Sequence, residues 1–405
     1  MAVGRGDLPE MFPVSGVKIG VAKAGIKKPG RRDVVVFEIA EGATVAGVFT
    51  KNAFCAAPVV LCKQHLAQKA PRYLLINTGN ANAGTGAQGM SDALACCDAL
   101  AELTNTQTFR VLPFSTGVIG EPLPVQKIVS ALPDAIAHLG ENNWAESAQG
   151  IMTTDTRPKG ASVQVRIGGE LVTLTGISKG AGMIKPNMAT MLGFVATDAK
   201  ISAELLQKLH SVAAEKSFNR ITIDGDTSTN DSCILIASGQ SSAPEISEDL
   251  EDYAVFVSAL NDLMLQLAHL IVRDGEGATK FISIQVEQAA SVSEALDVAY
   301  TVAHSPLVKT ALFASDPNWG RILAAVGRAG LNDLNVEGID IYLNEVCIVA
   351  NGGRSPDYTE EQGQAVMNQQ EILIRILLGR GDVAETVWTT DLSHDYVTIN
   401  AEYRT

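Results

Sequence analysis

The sequence predicts a mixed α/β protein in which sheets and helices form a layered α+β sandwich. Short runs rich in β-branched and aromatic residues alternate with amphipathic helical segments along all 405 residues. Apolar residues make up 46% of the chain and charged residues 19%, as in globular proteins. No repeat, low-complexity tract or Pro/Ser-rich linker marks a domain boundary. A chain of this length can therefore bury a large core.

The predicted strands are rich in β-branched and aromatic residues, and turns of Gly and Asn separate them. The last three alternate apolar and polar residues with period two, which indicates strands with one buried face. In chain order the strands are predicted over residues 34–39, 45–49, 73–76, 163–167, 171–175, 281–286, 339–349 and 371–378.

Three segments have apolar residues at helical spacing, so each is predicted to form an amphipathic helix. The longest ends shortly before Gly275, a residue typical of a helix end. The helices are predicted over residues 91–103, 203–217 and 248–273, with the apolar faces Leu94, Cys97 and Ala101, then Leu205, Leu209 and Val212, then Tyr253, Val257, Leu260, Met264, Leu267 and Ile271.

Charge and hydropathy disfavour two classes of partner. The net charge is −14 and there is no long basic stripe, so we expect no nucleic-acid binding. No apolar run is long enough to span a bilayer, so we expect no membrane insertion. Residues 1–13 lack an apolar targeting core and contain Asp7 and Glu10, which favours a cytoplasmic protein.

The sequence also disfavours metals and nucleotide cofactors. The six cysteines form no CxxC pair, and Cys96 and Cys97 lie in an alanine-rich stretch where buried, reduced thiols are expected. The glycine-rich residues 78–89 lack the ending of a phosphate-binding loop and the order of a dinucleotide fingerprint. Residues 224–231 have no glutamate at the twelfth position of a calcium loop. We expect no metal and no bound cofactor.

The segment around Thr190 contains a candidate hydroxyl nucleophile. If the chain cuts itself between Ala189 and Thr190, the new terminus carries a hydroxyl and an α-amine on one residue. An α-amine has a pKa of roughly 7.7–8.0, which suits a general base at neutral pH. A threonine more often bonds to nearby backbone. The permissive Lys-Gly-Ala-Gly run from Lys179 and the rigid Pro186 nevertheless favour a tight loop over a core strand.

At these residues the chain resembles a known family. The stretch from Ser178 to Leu192 resembles the self-cleavage segment of the ornithine acetyltransferases, also called glutamate N-acetyltransferases or the ArgJ family. The resemblance extends in order over nearly the whole chain, through INTGNANA (76–83), STGVIG (115–120), MTTDT (152–156), RDGEGATK (273–280), SDPNWGR (315–321) and INAEYRT (399–405).

The resemblance implies a DmpA/ArgJ-like fold, with one large body formed by two self-cleaved chains, residues 1–189 and 190–405. It also implies an oligomer with two copies of each chain. The implied reaction moves the acetyl group of N2-acetylornithine to glutamate through an acetyl-threonine intermediate. In bifunctional members acetyl-CoA is also a donor, and the sequence leaves this open.

By the same resemblance, Thr190 is the nucleophile and, through its α-amine, the general base, while the Thr116 hydroxyl and the Gly117 N–H form the oxyanion hole. The remaining implied residues bind substrate. They are Lys179, Glu276, Asn400, Thr405 and a threonine of the pair Thr153 and Thr154, of which Thr154 is preferred.

Two rivals stay open at this stage. A self-cleaving amidohydrolase or aminopeptidase would use the same nucleophile but give the acyl group to water. A non-enzymatic binding protein would keep Thr190 inside an intact chain. The lysine at Lys179 and the polar C-terminal segment favour transfer, because they supply anchors for amino-acid substrates.

Overall fold

The strands come from a computed structural model that describes residues 2–4, 6–185 and 191–402. Within these ranges they are β1 (Val17–Ala22), β2 (Val34–Ile39), β3 (Thr44–Phe49), β4 (Tyr73–Asn80), β5 (Val111–Val118), β6 (Lys159–Ile167), β7 (Glu170–Lys179), β8 (Leu192–Thr197), β9 (Ser232–Ala237), β10 (Phe281–Ala289), β11 (Asp340–Leu343), β12 (Val346–Ala350), β13 (Gly353–Arg354), β14 (Glu371–Leu377) and β15 (Val383–Thr390).

The helices begin mostly at capping serine, threonine or asparagine side chains, which accept a backbone N–H of the first turn. Ser202, Ser291, Ser305 and Ser393 do so. The helices of the described ranges are α1 (Ala57–Leu66), α2 (Gly86–Leu103), α3 (Val125–Ala137), α4 (Trp144–Gly150), α5 (Ala203–Lys216), α6 (Tyr253–Arg273), α7 (Val292–Ala303), α8 (Pro306–Phe313), α9 (Trp319–Gly327), α10 (Glu360–Met367) and α11 (His394–Ala401).

The chain divides into two compact units, and the larger comprises Gly6–Asn219 and Asp226–Ile271. It contains a four-stranded sheet in the order β1-β2-β4-β5 and a five-stranded sheet in the order β3-β9-β8-β7-β6. The pairs β4·β5 and β8·β9 are parallel, and the other neighbours are antiparallel.

The core of the larger unit lies between its two sheets. Phe37 and Phe114 of the first sheet contact Phe194 of the second, with ring centroids 5.4 and 5.1 Å apart. Helices α2 and α3 cover the outer face of the first sheet, while α6 packs its Leu263 and Leu267 against Gly176 of the second. The unit is therefore a helix, sheet, sheet, helix sandwich, and the predicted layered α/β class is confirmed.

The smaller unit comprises Arg220–Gly225 and residues 272–402, together with residues 2–4. Its six-stranded sheet has the order β13-β12-β11-β14-β10-β15, in which only β10·β14 is parallel among the described pairs. Alternate residues of β10, such as Ile282 and Ile284, pack against apolar faces of α7, α8, α9 and α10. The period-two pattern of this strand accordingly reports one buried face.

The predicted elements are largely confirmed, with some corrections. Residues 339–349 form two strands, β11 and β12, because Asn344 takes a positive φ of 49° and turns the chain back. In α2 the buried face carries Cys97 as predicted, but Leu94 is 40% exposed. In α5 Leu209 is buried whereas Val212 is 43% exposed. The buried face of α2 instead includes Cys96 and Leu100, and that of α5 includes Leu206 and His210.

Helix α6 contradicts the expectation that no apolar run is long enough to span a bilayer. It is long and apolar enough to cross a membrane by length and composition, with a mean hydropathy of 1.7 in its most apolar window. Residues at helical spacing, including Leu260, Met264, Leu267 and Ile271, are nevertheless buried, while Asp262 is exposed. This is the pattern of a core helix with one solvent face.

Candidate functional site

The carboxyl ends of the parallel strands β4 and β5 bring two glycines together. Gly79 and Gly117 are register partners, and Gly117 has a φ of +139°. A Cβ on Gly117 would lie 2.3 Å from the carbonyl carbon of Gly79, so the two backbones approach too closely for any side chain. The glycine thus permits the conformation that Thr116 and Gly117 share at this strand end.

Lys179, the last residue of β7, reaches Thr116 from the other sheet. Its Nζ donates to Thr116 Oγ1 over 3.4 Å and lies 3.9 Å from Asp155 Oδ2. Because the threonine oxygen accepts from the lysine, its own O–H is left to donate in another direction. Lys179 is 9% exposed, so its charge acts in a poorly solvated setting.

Asp155 holds the lysine end of this arrangement. Its carboxylate, with a side-chain exposure of 0%, accepts from Lys159 Nζ over 2.6 Å and from the Gly180 N–H over 2.8 Å. Burial by itself raises the pKa of Asp155, but Lys159, Lys179 and the hydrogen bonds outweigh it, and the pKa lies well below its usual range. Asp155 is consequently an anion at neutral pH.

The two candidate threonines before Asp155 are distinguished by their contacts. The Thr153 N–H donates to Asp155 Oδ2 over 2.8 Å, and its hydroxyl lies 3.5 Å from the same oxygen. Thr153 therefore supports the aspartate. Thr154 is half-buried in the same turn, and the cavity-lining residues among the described ones do not include it.

A cavity opens beside Thr116 and Lys179. It holds about 30 Å³, more than the roughly 10–15 Å³ that one ordered water requires. Its described lining also includes Met191, Ser228 and Asp231. Asp231 is 2% exposed, and burial raises its pKa well above its usual range, while Ser228 and Lys179 lower it only in part.

The segment from Thr227 to Ser232 ties together the chain on both sides of residues 186–190. Ile184 forms an antiparallel bridge with Thr227, whose hydroxyl donates to the Lys185 carbonyl over 3.1 Å. On the other side, the Ser232 N–H donates to the Met191 carbonyl over 2.9 Å. Both approaches to the candidate cut are thus anchored on one segment.

Glu276 and Asn400 are brought together in the smaller unit. Asn400 Nδ2 donates to Glu276 Oε2 over 2.7 Å, and Glu276 is 9% exposed. Helix α11, which carries Asn400, is further held by Tyr396, whose hydroxyl donates to Asp224 Oδ2 over 3.1 Å. The C-terminal segment is therefore anchored as far as Asn400, as its candidate role requires.

Three of the predicted positions, Ala189, Thr190 and Thr405, lie outside the described residues. In the sequence, Asp231 was considered only as the last residue of a rejected calcium loop, and Asp155 was noted only as part of a resembling motif. An acidic residue directly before the apolar strand β9 is the signal that points to Asp231. Burial, which decides its protonation, is not visible in that pattern.

The six cysteines all lie in the described ranges and are unpaired, and Cys96 and Cys97 are buried as expected. Within the part of the chain that the structure describes, no group of three His, Cys, Asp or Glu side chains is placed to hold a metal ion.

A hydroxyl donor beside an ammonium group, which a buried carboxylate holds in place, is an arrangement suited to stabilising the oxyanion of acyl transfer. The ArgJ family model matches residues 18–405. Proteins named arginine biosynthesis bifunctional protein ArgJ, from Pseudomonas fluorescens (strain Pf0-1) and Pseudomonas syringae pv. tomato (strain ATCC BAA-871 / DC3000), are 63% and 62% identical over the whole of both chains. The chain belongs to the ArgJ family.

Two solved structures are also similar. The arginine biosynthesis bifunctional protein ArgJ of Bacillus halodurans is 40% identical, with 51% of this chain and 97% of that chain covered and a TM-score of 0.49. The ornithine acetyltransferase of Mycobacterium tuberculosis, solved with ornithine, is 32% identical, with 45% and 98% covered and a TM-score of 0.39.

Proposed function

We propose that this chain transfers the acetyl group of N2-acetylornithine to glutamate, giving ornithine and N-acetylglutamate. Its full-length identity of 62–63% to bifunctional arginine-biosynthesis proteins makes it an acyltransferase of arginine biosynthesis. Family membership favours transfer over release of the acyl group to water, and over a non-enzymatic binding role. Small amino-acid derivatives are its substrates.

The proposed nucleophile is Thr190, freed by a cut after Ala189. Its hydroxyl attacks the acetyl carbonyl while its α-amine takes the proton and passes it to the departing ornithine nitrogen. An acetyl-threonine ester remains, and the glutamate amine attacks it in the second half-reaction. No cofactor is needed for these steps.

Thr116 and Gly117 are the proposed donors to the tetrahedral oxyanion. The single observation that carries the proposal is the Lys179 to Thr116 hydrogen bond of 3.4 Å, which leaves the threonine proton to point elsewhere. The nearby ammonium also makes the hydroxyl a better donor to a developing negative charge. Asp155 positions Lys179 from behind.

The remaining proposed substrate residues supply charge of both signs. Lys179 is suited to a substrate carboxylate, and Glu276 to a substrate amino group, with Asn400 orienting the Glu276 carboxylate. Thr154 and Thr405 complete the proposed set.

The geometry near the cut supports self-cleavage. Met183 has a φ of 56°, a left-handed conformation that costs a residue with a side chain about 1–3 kcal/mol. The strain lies in the loop that leads to Pro186 from the fixed end of β7. A strained residue in the approach to Pro186, together with anchors at Ile184 and Met191, supports the proposed break.

We further propose a cytoplasmic enzyme made of two chains of each kind, with acetyl-CoA as a second donor. The unpaired state of the six thiols supports a reducing compartment, and the word bifunctional in the relatives' names supports the second donor.

Intact-mass spectrometry of the purified protein, with and without N2-acetylornithine, tests the proposal. We expect two chains, the second beginning at Thr190, and one added acetyl group on that second chain with the donor alone. Glutamate should discharge it as N-acetylglutamate. The variant Thr190→Ala should remain a single chain without turnover.

Full activity in a protein that shows only its original N-terminus would contradict the nucleophile. Acetate release that does not depend on glutamate would instead identify a hydrolase.

A further inference from the structure

Asp231 has a buried oxygen that its surroundings do not satisfy. Its Oδ2 atom is buried and has no hydrogen-bond partner among the described residues, although the side chain interacts with Ser228. An ionised carboxylate in that position would lose its hydration without recovering hydrogen bonds, which costs several kcal/mol. The group is therefore protonated at neutral pH, in agreement with the raised pKa of Asp231.

This proton is held beside Met191, the first described residue after the candidate cut in the chain. Strands β8 and β9 are parallel with Leu192 paired to Ser232, so Asp231 lies beside Met191 one step earlier. Met191 and Asp231 line the same cavity, and Met191 is bonded to Thr190 in the chain. The cavity is also large enough to admit the hydrolytic water that a cut requires.

The backbone around Asp231 is fixed from several directions. The Thr50 N–H donates to the Asp231 carbonyl over 2.9 Å, and the Thr50 hydroxyl donates to the Ser228 carbonyl at the same distance. Asn230 Nδ2 donates to the Ser115 carbonyl over 2.9 Å, next to Thr116. A proton donor on such a frame is preorganised for one reaction.

We propose that the Asp231 carboxyl group is the acid and base for chain cleavage before Thr190, and that it is not needed for acetyl transfer once the chain is cut. The proposal rests on the cleavage proposed above. Cleavage and turnover would then use different bases. The Thr190 α-amine is the proposed base in turnover, but before the cut its nitrogen is part of an amide and cannot accept the proton.

The step balances without an added reagent other than water. The Thr190 oxygen bonds to the Ala189 carbonyl carbon, and the bond from that carbon to the Thr190 nitrogen breaks. The Asp231 proton goes to the departing nitrogen, and the resulting carboxylate takes the proton released by the hydroxyl. Water then hydrolyses the ester, leaving the Ala189 carboxylate and restoring the Thr190 hydroxyl.

The test follows cleavage of full-length chains pulse-labelled during cell-free synthesis, with Asp231→Asn compared with wild type. An amide keeps the size, neutrality and hydrogen bonding of the acid but transfers no proton at neutral pH. We expect cleavage to slow by about 10²–10⁴-fold, and activity per cleaved chain to change by less than about tenfold.

Asp198→Asn is the matched control. Asp198 is 8% exposed in the same unit, burial also raises its pKa, and its Oδ1 accepts from the Thr173 N–H. We expect wild-type cleavage from it.

Cleavage of Asp231→Asn within threefold of wild type would overturn the inference and leave the proposed function intact, whereas an uncut wild-type chain would sink both. If the melting temperature of Asp231→Asn is well below that of Thr190→Ala, slow cleavage could come from misfolding. In that case the cleavage rate of Asp231→Ala is measured with and without added formate. Formate that accelerates cleavage supports the inference, and formate without effect contradicts it.

Discussion

Two aspartates of the larger unit are both buried, yet at neutral pH one is ionised and the other is neutral. Asp155 faces two lysines and accepts backbone N–H groups, and its pKa falls. Asp231 has one serine partner and a more distant ammonium group, and its pKa rises. The first is suited to hold Lys179 in place, and the second to exchange a proton.

Loss of the Thr116 hydroxyl should affect the transition state more than substrate binding. We expect Thr116→Val to lower kcat by about 10²–10³-fold, as removal of one oxyanion donor does. Thr116→Ser, which keeps the hydroxyl, should recover most of the rate. Steady-state kinetics with N2-acetylornithine measures both, and an unchanged kcat in Thr116→Val would remove this residue from the oxyanion hole.

Loss of the Asp155 charge should destabilise the fold, because the buried Lys159 ammonium group would lose its ion pair with that carboxylate. We expect Asp155→Asn to lower the free energy of unfolding by about 3–5 kcal/mol at pH 7. The folded pKa of Asp155 is depressed. Its contribution to the free energy of unfolding is therefore present above the unfolded pKa of about 3.9 and is lost progressively as pH falls from there toward the folded pKa.

Urea unfolding at several pH values therefore should show a gap between Asp155→Asn and wild type that narrows below about pH 4. The exposed ion pair of Lys208 and Glu248 provides a control, since Glu248→Gln should have little effect. A gap that stays constant down to pH 3 would argue against this charge state.

At the scale of elements, the strand ends position the chemistry. The parallel pair β4·β5 ends at two glycines in close contact, and β7 ends at the lysine that reaches across to β5. The pattern of residues 73–76 predicted the apolar half of β4 but not its polar extension to Asn80. Strand propensity does not predict this extension, because Asn77 and Asn80 are stabilised by hydrogen bonds to Ser115 and to the Glu121 and Pro122 carbonyls, which lie far along the chain.

The close approach of β4 and β5 at Gly79 and Gly117 should not tolerate a side chain at position 117. We expect Gly117→Ala to lower the melting temperature markedly, because the new Cβ meets the Gly79 backbone as well as an unfavourable φ. Gly120→Ala is the control. Its φ is +83° but nothing lies within 4 Å, so only the dihedral cost of roughly 1–2 kcal/mol applies. Equal melting temperatures would contradict the close approach.

Helix α11 should contribute to activity through Asn400. We expect Asn400→Ala to lower kcat/KM by about 10- to 150-fold, the equivalent of a hydrogen bond to a charged group worth about 1.5–3 kcal/mol. Val397→Ala on the same helix, where Val397 is 63% exposed, should leave it unchanged. Full activity after removal of residues 400–405 would exclude the C-terminal segment from the site.

At the scale of the molecule, the proposed cut does not separate the two compact units. Strands β6 and β7 come before residue 189, while β8 and β9 come after residue 190, and all four belong to one sheet of the larger unit. Hydrogen bonds between β7 and β8 would therefore join the two products.

We accordingly expect the two products to elute together in size-exclusion chromatography under native conditions and to separate only in denaturant. Thr190→Ala, as an uncut chain, should elute at the same volume. Dissociation of the products in native buffer would show that the sheet does not hold them together.

The sequence by itself determined the layered α/β class, most strands and the longest helix, because periodicity is a property of neighbouring residues. It indicated the candidate residues Thr116, Lys179, Glu276 and Asn400 through the family resemblance. Only the tertiary structure decided that Lys179 contacts Thr116 and that Asn400 contacts Glu276. It also decided that Asp155 is charged and Asp231 neutral. A pKa and a contact depend on burial and on partners far along the chain, which no local pattern contains.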